Sequence, residues 1–156
     1  MTERDMLRHC LAVLAYRGGK FLRDAPANFA DFDTGSGTTP LRILSHISDL
    51  LDWALSMSHG PGGWAEATPS DWASEVTRFH IALATLDGYY ASGATIHADV
   101  PRLFQGPLAD ALTHVGQLAM LRRMTGTAVV GENYYVADIV TGRVGPDQSP
   151  PRKPFA

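Results

Sequence analysis

The residues best suited to chemistry lie on two predicted helices and are His46, Asp110 and His114. Asp110 and His114 are one helical turn apart, so one helix presents a carboxylate and an imidazole on the same face. Leu118 and Leu121 follow on that side, which predicts that this face points into the core. A buried charge costs several kcal/mol unless it is paired or bound to a metal. The pair therefore requires a compensating partner.

Two interpretations of this pair compete. In the first, Asp110 and His114 form an i,i+4 hydrogen bond that satisfies both groups without any ligand. In the second, they chelate a divalent metal ion, and His46 on a facing helix supplies the third ligand, as in metal sites built inside helical bundles. Asp49 follows His46 on the same helix. Its carboxylate either accepts a hydrogen bond from the ring of His46 and so orients it, or is a solvated charge. Gln117, which shares the predicted inner face, is the other candidate for a supporting role.

One further histidine is a candidate site residue. His80 shares an edge of the third predicted helix with Asp87 and could act as a fourth ligand or an acid–base group. The neighbouring Phe79 and Leu83 explain that helix as a packing seam without any such role. Cys10 is the sole cysteine and lies in an apolar run, which predicts a small buried hydrophobe rather than a reactive thiol.

Four segments with helical periodicity would position these residues. They cover about residues 2–21, 40–58, 68–92 and 107–125. Thr2, Thr39 and Thr68 precede the first three as N-cap residues, and Pro40 and Pro69 occupy favoured first positions. The pattern predicts an all-α fold in which residues 1–126 form a four-helix bundle. Residues 127–156 are predicted to be an irregular C-terminal extension that packs on the bundle within the same domain, with at most one short extended piece.

Length and charge exclude several classes of protein. The chain has 156 residues, a size typical of one domain, and a formal net charge of −3. This charge gives no drive toward nucleic acid or an anionic membrane. No apolar run approaches the roughly 20 residues of a membrane span, and the polar start does not resemble a signal peptide. We therefore expect a cytoplasmic protein with neither nucleic-acid nor membrane partners.

Two stretches of the sequence resemble a known family. Residues 41–53 are similar to the second helix of DinB-like proteins, also called the DinB/YfiT group, and residues 110–123 are similar to their fourth helix. The most specific part is His114-Val115-Gly116-Gln117-Leu118 combined with a histidine on an upstream helix. The resemblance covers roughly residues 1–126 and implies a four-helix bundle with a three-histidine metal site.

The resemblance also implies roles for individual residues. His46 matches the second-helix ligand and His114 matches the last ligand of the family. Asp110 stands where the family more often has histidine, and a carboxylate shifts the preference toward harder ions such as Mn²⁺ or Fe²⁺. The expected cofactor is therefore a divalent metal, which could be Zn, Ni, Mn or Fe. Aspartate in place of histidine at position 110 would also be found in a degenerate relative that binds no metal.

The resemblance implies a metal-dependent hydrolase or a transferase that adds a low-molecular-weight thiol to an electrophile. The partner would then be a small-molecule substrate or a thiol cofactor. No catalytic residue is assigned, although Gln117, Asp49 or Tyr134 could hydrogen-bond the reacting group. The alternative is a non-catalytic bundle that binds a small molecule or a partner and keeps a degenerate metal site. The apolar faces and the aromatic tail also favour a homodimer.

Overall fold

The computed structural model describes all 156 residues, and four long helices form its framework. They are α1 (Glu3–Leu22), α2 (Pro40–His59), α3 (Trp72–Ala91) and α5 (Ala109–Met124), with a short α4 (Val100–Leu103) before the last of them. No strand is present. The predicted all-α four-helix bundle is thus confirmed.

The first two helices begin where the sequence predicts. Thr2 accepts a hydrogen bond from the backbone amide of Asp5, and the Asp5 carboxylate accepts one from the backbone amide of Thr2, which completes a capping box. Thr39 accepts from the amide of Arg42, and Pro40 occupies the first turn. These contacts satisfy amide groups that a helix start otherwise leaves without a partner.

The third helix begins later than predicted. Its N-cap is Asp71, whose side chain accepts from the amide of Ser74, so Pro69 lies outside the helix and not at its first position. The amide of Ser70 donates to the carboxylate of Glu75 at 2.9 Å. This hydrogen bond holds the preceding segment against the first turn of α3 in a non-helical conformation.

The segment before the fourth long helix is helical, although the sequence predicted a linker there. α4 passes directly into a five-residue π-helical segment, Phe104–Leu108, and then into α5. Pro107 lies inside the π-helical segment. Proline lacks an amide hydrogen and cannot complete a regular α-helical ladder, and a wider turn at this point accommodates that loss. Leu103 and Leu108 are buried, which keeps the segment on the bundle.

The four long helices surround one hydrophobic core of 24 buried residues. α2 packs against α3 and α5, and α1 packs against the same two helices, so α1 and α2 are diagonal neighbours. The α2–α5 contact is the one that brings the candidate site residues together. No helix has both the length and the apolar character needed to cross a membrane.

The C-terminal extension packs on the bundle, as predicted. Glu132 is 3% exposed and Val144 is 7% exposed, and Val144 belongs to the core cluster. Residues Tyr134–Val136 form a 3₁₀ turn, so the β-like composition there does not produce a strand. The only extended pairing is an isolated antiparallel bridge between Glu132 and Pro154.

Candidate metal centre

Three side chains from two helices converge at the α2–α5 contact. His46 lies on α2, and Asp110 and His114 lie one turn apart on α5. One potential ligand atom from each residue falls within 4.8 Å of the others. The two imidazole rings are nearly perpendicular, at 88°, with their centroids 4.7 Å apart. The structure thus brings together the three residues that the sequence singled out.

The distances within this group are longer than hydrogen bonds and are compatible with a shared ion. His46 Nε2 lies 3.7 Å from Asp110 Oδ2, and His114 Nε2 lies 3.5 Å from Asp110 Oδ1. Good N–H···O bonds measure about 2.7–3.2 Å, so both separations are long for direct pairing. Two ligands about 2.1 Å from one tetrahedral ion are about 3.4 Å apart. The two measured separations are close to this value, although each ends on a different oxygen of Asp110, so the three residues could hold one ion.

A neighbouring carboxamide orients one of the imidazoles. His114 Nδ1 lies 2.7 Å from Gln117 Oε1. The amide oxygen can only accept a hydrogen bond, so Nδ1 is the donor in this contact, and Nε2 is the ring atom that faces Asp110. Gln117 thus prepares His114 to act as a ligand through Nε2.

The three candidate ligands lie at the rim of the bundle and not in its core. Their side chains are 35% exposed at His46, 48% at Asp110 and 20% at His114. The expectation of a buried site is therefore wrong, because this face of α5 continues past the core-facing Leu118 to the solvent boundary. The exposure leaves room for water or a substrate beside the group.

Two tryptophans border the site, a feature that sequence reasoning missed. Trp64 lies in the connection between α2 and α3, with its ring 5.5 Å from that of His46 and 5.8 Å from that of Trp53. Trp53 also borders a surface cleft of about 350 Å³ that Asp110 and the π-helical segment line. The only available signal was a tryptophan in the Gly/Pro-rich stretch that follows α2. The cleft offers space for a small molecule directly beside the carboxylate.

Asp49 does not support His46, contrary to one of the two sequence interpretations. It is only 2% exposed, and its carboxylate accepts hydrogen bonds from Arg78 on α3 and from the amide of Ala67. Arg78 also pairs with Asp52 at 2.9 Å. Asp49 therefore connects α2 to α3 and stabilises the bundle instead of orienting a ligand.

The remaining candidates lie away from the group. His80 Nδ1 is 3.4 Å from the carbonyl oxygen of Val144 in the C-terminal extension, and burial lowers the pKa of this histidine. His80 is not part of the ligand group, and its role as a fourth ligand or an acid–base group stays a prediction. Tyr134 lies beside α1, with the guanidinium of Arg17 stacked 4.1 Å from its ring centroid. A contact between Tyr134 and a reacting group stays a prediction.

The chain matches no protein-family model, no curated protein and no solved structure.

Proposed function

We propose that the protein is a DinB-like bundle that binds one divalent metal ion through His46, Asp110 and His114, and that it acts as a metal-dependent hydrolase or low-molecular-weight-thiol transferase. The observation that carries the proposal is the convergence of three ligand atoms within 4.8 Å of one another. The motif around His114 supports the family assignment.

The donor set indicates the class of ion. Two imidazoles and one carboxylate suit Zn²⁺, Ni²⁺, Mn²⁺ or Fe²⁺, and the carboxylate of Asp110 favours the harder ions relative to a three-histidine site. Three protein ligands leave at least one coordination position free, which is typical of catalytic rather than structural sites. The solvent exposure of Asp110 agrees with a free position on that side.

An ion held here would lower the pKa of a water molecule or thiol toward neutrality and so supply a nucleophile. The chain's own residues would position the reactants. Gln117 contacts Nδ1 of His114, Trp64 packs beside His46, and the cleft beside Asp110 would receive the substrate. No further histidine or carboxylate joins the ligand group, and no general acid or base is assigned.

The cleft beside Asp110 also supports an alternative, a non-catalytic bundle that binds a small molecule there. Both functions use the rim of α2 and α5, but only the enzyme requires turnover. Homodimer formation, the thiol or small-molecule partner and the cytoplasmic location stay predictions.

Metal stoichiometry tests the proposal first. Purified protein would be stripped with a chelator, reconstituted separately with Zn²⁺, Ni²⁺, Mn²⁺ and Fe²⁺, desalted, and analysed by elemental mass spectrometry. We expect one ion per chain in the wild type and loss of that ion in Asp110→Asn and His114→Gln. Asp31→Asn and His97→Gln are matched controls, because both residues are exposed and lie outside the ligand group.

Activity screens on the same metal-loaded samples then separate the two reactions. Hydrolysis of ester and amide substrates would indicate the hydrolase, and conjugation of low-molecular-weight thiols to electrophiles would indicate the transferase. Either activity should disappear in Asp110→Asn and persist in Asp31→Asn. Metal binding without either activity would support the non-catalytic alternative, and the absence of stoichiometric metal in the wild type would refute the proposal.

A further inference from the structure

A second concave site lies between α1, α5 and the C-terminal extension. Its volume is about 390 Å³, and eight of its thirteen lining residues are hydrophobic. Pockets that bind small molecules have volumes of about 300–1,000 Å³ and mostly apolar walls with a few polar groups. The apolar wall is formed by Phe21, Leu112, Val115, Ala119, Val130 and Phe155.

This cavity is separate from the candidate metal centre. Its α5 wall includes Gly116, which lies two residues after His114 and therefore about 200° around the helix. None of the three candidate metal ligands lines it. The cavity and the metal centre thus occupy opposite faces of α5.

Two positive charges at the cavity have no anionic partner in the protein. Arg17 and Arg123 line it, and neither guanidinium forms an ion pair with a carboxylate. The one carboxylate in the lining, Glu132, is already paired with Lys20 at 2.6 Å and accepts a hydrogen bond from Tyr16. An excess of positive charge therefore faces an apolar cavity in a chain whose net charge is −3.

Packing and helix capping do not account for both arginines. Arg123 lies in the last turn of α5, where the helix dipole favours a cation. Arg17 is five residues before the end of α1, beyond the reach of that effect, and stacks on the ring of Tyr134. This contact uses the face of the guanidinium, so its N–H groups, which lie in its own plane, are free to donate to an acceptor.

We propose that this cavity binds a small organic carboxylate with an apolar body, such as a medium-chain fatty acid. The apolar wall would bury the chain, and Arg17 and Arg123 would bind the carboxylate, for which the planar guanidinium group is well matched. The site is independent of the proposed metal chemistry, because it shares no residue with the metal ligands.

Gly116 provides a way to fill the cavity without disturbing the fold. A Cβ atom built at this position meets no heavy atom within 4 Å, so a larger side chain has open space beside the cavity wall. Gly88 on α3 is the matched control, because it is also an exposed helical glycine with no heavy atom within 4 Å of an added Cβ, and it does not line the cavity. Gly116→Leu therefore places a large side chain at the cavity wall, and Gly88→Leu makes the same change away from it.

Titration calorimetry with octanoate and with 1-octanol tests the proposal, because the two ligands share an apolar chain and differ in charge. We expect octanoate to bind the full chain with 1:1 stoichiometry and at least about tenfold more tightly than 1-octanol, as charge-assisted hydrogen bonds require. Arg17→Gln/Arg123→Gln should reduce octanoate affinity about tenfold or more and leave 1-octanol unchanged. Arg42→Gln, at an exposed arginine outside the cavity, should change neither.

Blocking the cavity gives the second arm of the test. Gly116→Leu should abolish the binding of both ligands, whereas Gly88→Leu should bind them like the wild type. Equal affinity for the two ligands, unchanged binding in Gly116→Leu or no octanoate binding at millimolar concentration would each overturn the proposal. Circular dichroism confirms the fold of each variant, and the arginine double variant decides the outcome if Gly116→Leu does not fold.

Discussion

We expect the substitution Glu132→Gln to destabilise the protein by about 3–5 kcal/mol, the range found when one partner of a buried ion pair is removed. Glu132 anchors the C-terminal extension to α1 through Lys20 Nζ at 2.6 Å and the hydroxyl of Tyr16 at 2.9 Å. Glutamine preserves the shape and can still accept from Tyr16, but it leaves the ammonium group without a carboxylate. The remaining acceptor for Lys20 is the carbonyl oxygen of Val130 at 3.4 Å, which is too distant to compensate a buried charge.

The size of this loss follows from burial. Lys20 is 7% exposed and Glu132 is 3% exposed, so solvent cannot replace the missing interaction. A domain of this size is stable by about 5–15 kcal/mol in total, so the variant should lose roughly a third of its stability. Removing both charges in Lys20→Met/Glu132→Leu should cost much less than the single substitution, because no charge is then left buried.

Urea unfolding followed by circular dichroism measures these differences. Glu66→Gln, at an exposed glutamate without a partner, is the control and should stay within about 0.5 kcal/mol of the wild type. A cost below about 1 kcal/mol for Glu132→Gln, or a double variant that is less stable than the single one, would refute the assignment of this pair as a buried anchor.

Three further predictions concern other parts of the molecule. Burial and the hydrogen bond to a carboxylate raise the pKa of Tyr16 from 10.0 to about 12. The contribution of Tyr16 to the free energy of unfolding is therefore intact below pH 10 and should fall by about 2–3 kcal/mol as the pH rises from 10 to 12. Urea unfolding at alkaline pH should show this part of the decline in the wild type and not in Tyr16→Phe. Gln117→Leu should weaken metal binding about 10- to 100-fold in competition titrations with a chelating dye, because His114 loses its orienting acceptor; unchanged affinity would contradict that role. Gly18→Ala should lower the melting temperature, because the new methyl group would lie 3.0 Å from the ring of Phe79; a higher melting temperature would show that the contact relaxes.

Local signals in the sequence predicted much of the helical framework. Thr39 and Pro40 mark the start of α2 through contacts within the helix itself, so no tertiary information was needed. The start of α3 was predicted too early, because Thr68 and Asp71 are both competent caps. The choice between them depends on a tertiary contact, since the segment before Asp71 is tied to α2 by the hydrogen bond from Ala67 to Asp49.

The amino-acid composition of the segment before α5 did not predict that this segment is helical. Gly106 and Pro107 are a turn signal in sequence, and they favour a linker. In the structure, burial of Leu103 and Leu108 holds this segment in helical geometry, and a π-helical turn accommodates the proline. Packing energy therefore overrides the local preference, which a single sequence does not display.

The site was predictable in its membership but not in its surroundings. The spacing of Asp110 and His114 places them on one face, and His46 on another helix was the natural third ligand, which the family resemblance then matched. Hydrophobic periodicity assigns a residue to a helix face that covers about a third of the circumference. A face of this width includes positions in the bundle core and positions at the edge of the bundle. Sequence reasoning therefore expected burial where the structure shows partial exposure, and it did not predict the approach of Trp64, which depends on the course of a loop.

Anomalous diffraction from crystals of the metal-reconstituted protein tests the central claim most directly. The account predicts one strong anomalous peak per chain, about 2.0–2.2 Å from His46 Nε2, from His114 Nε2 and from a carboxylate oxygen of Asp110. It also predicts the loss of that peak in crystals of Asp110→Asn. A peak elsewhere on the chain, or none at all after reconstitution, would show that these three side chains do not share an ion and would contradict the proposed metal centre.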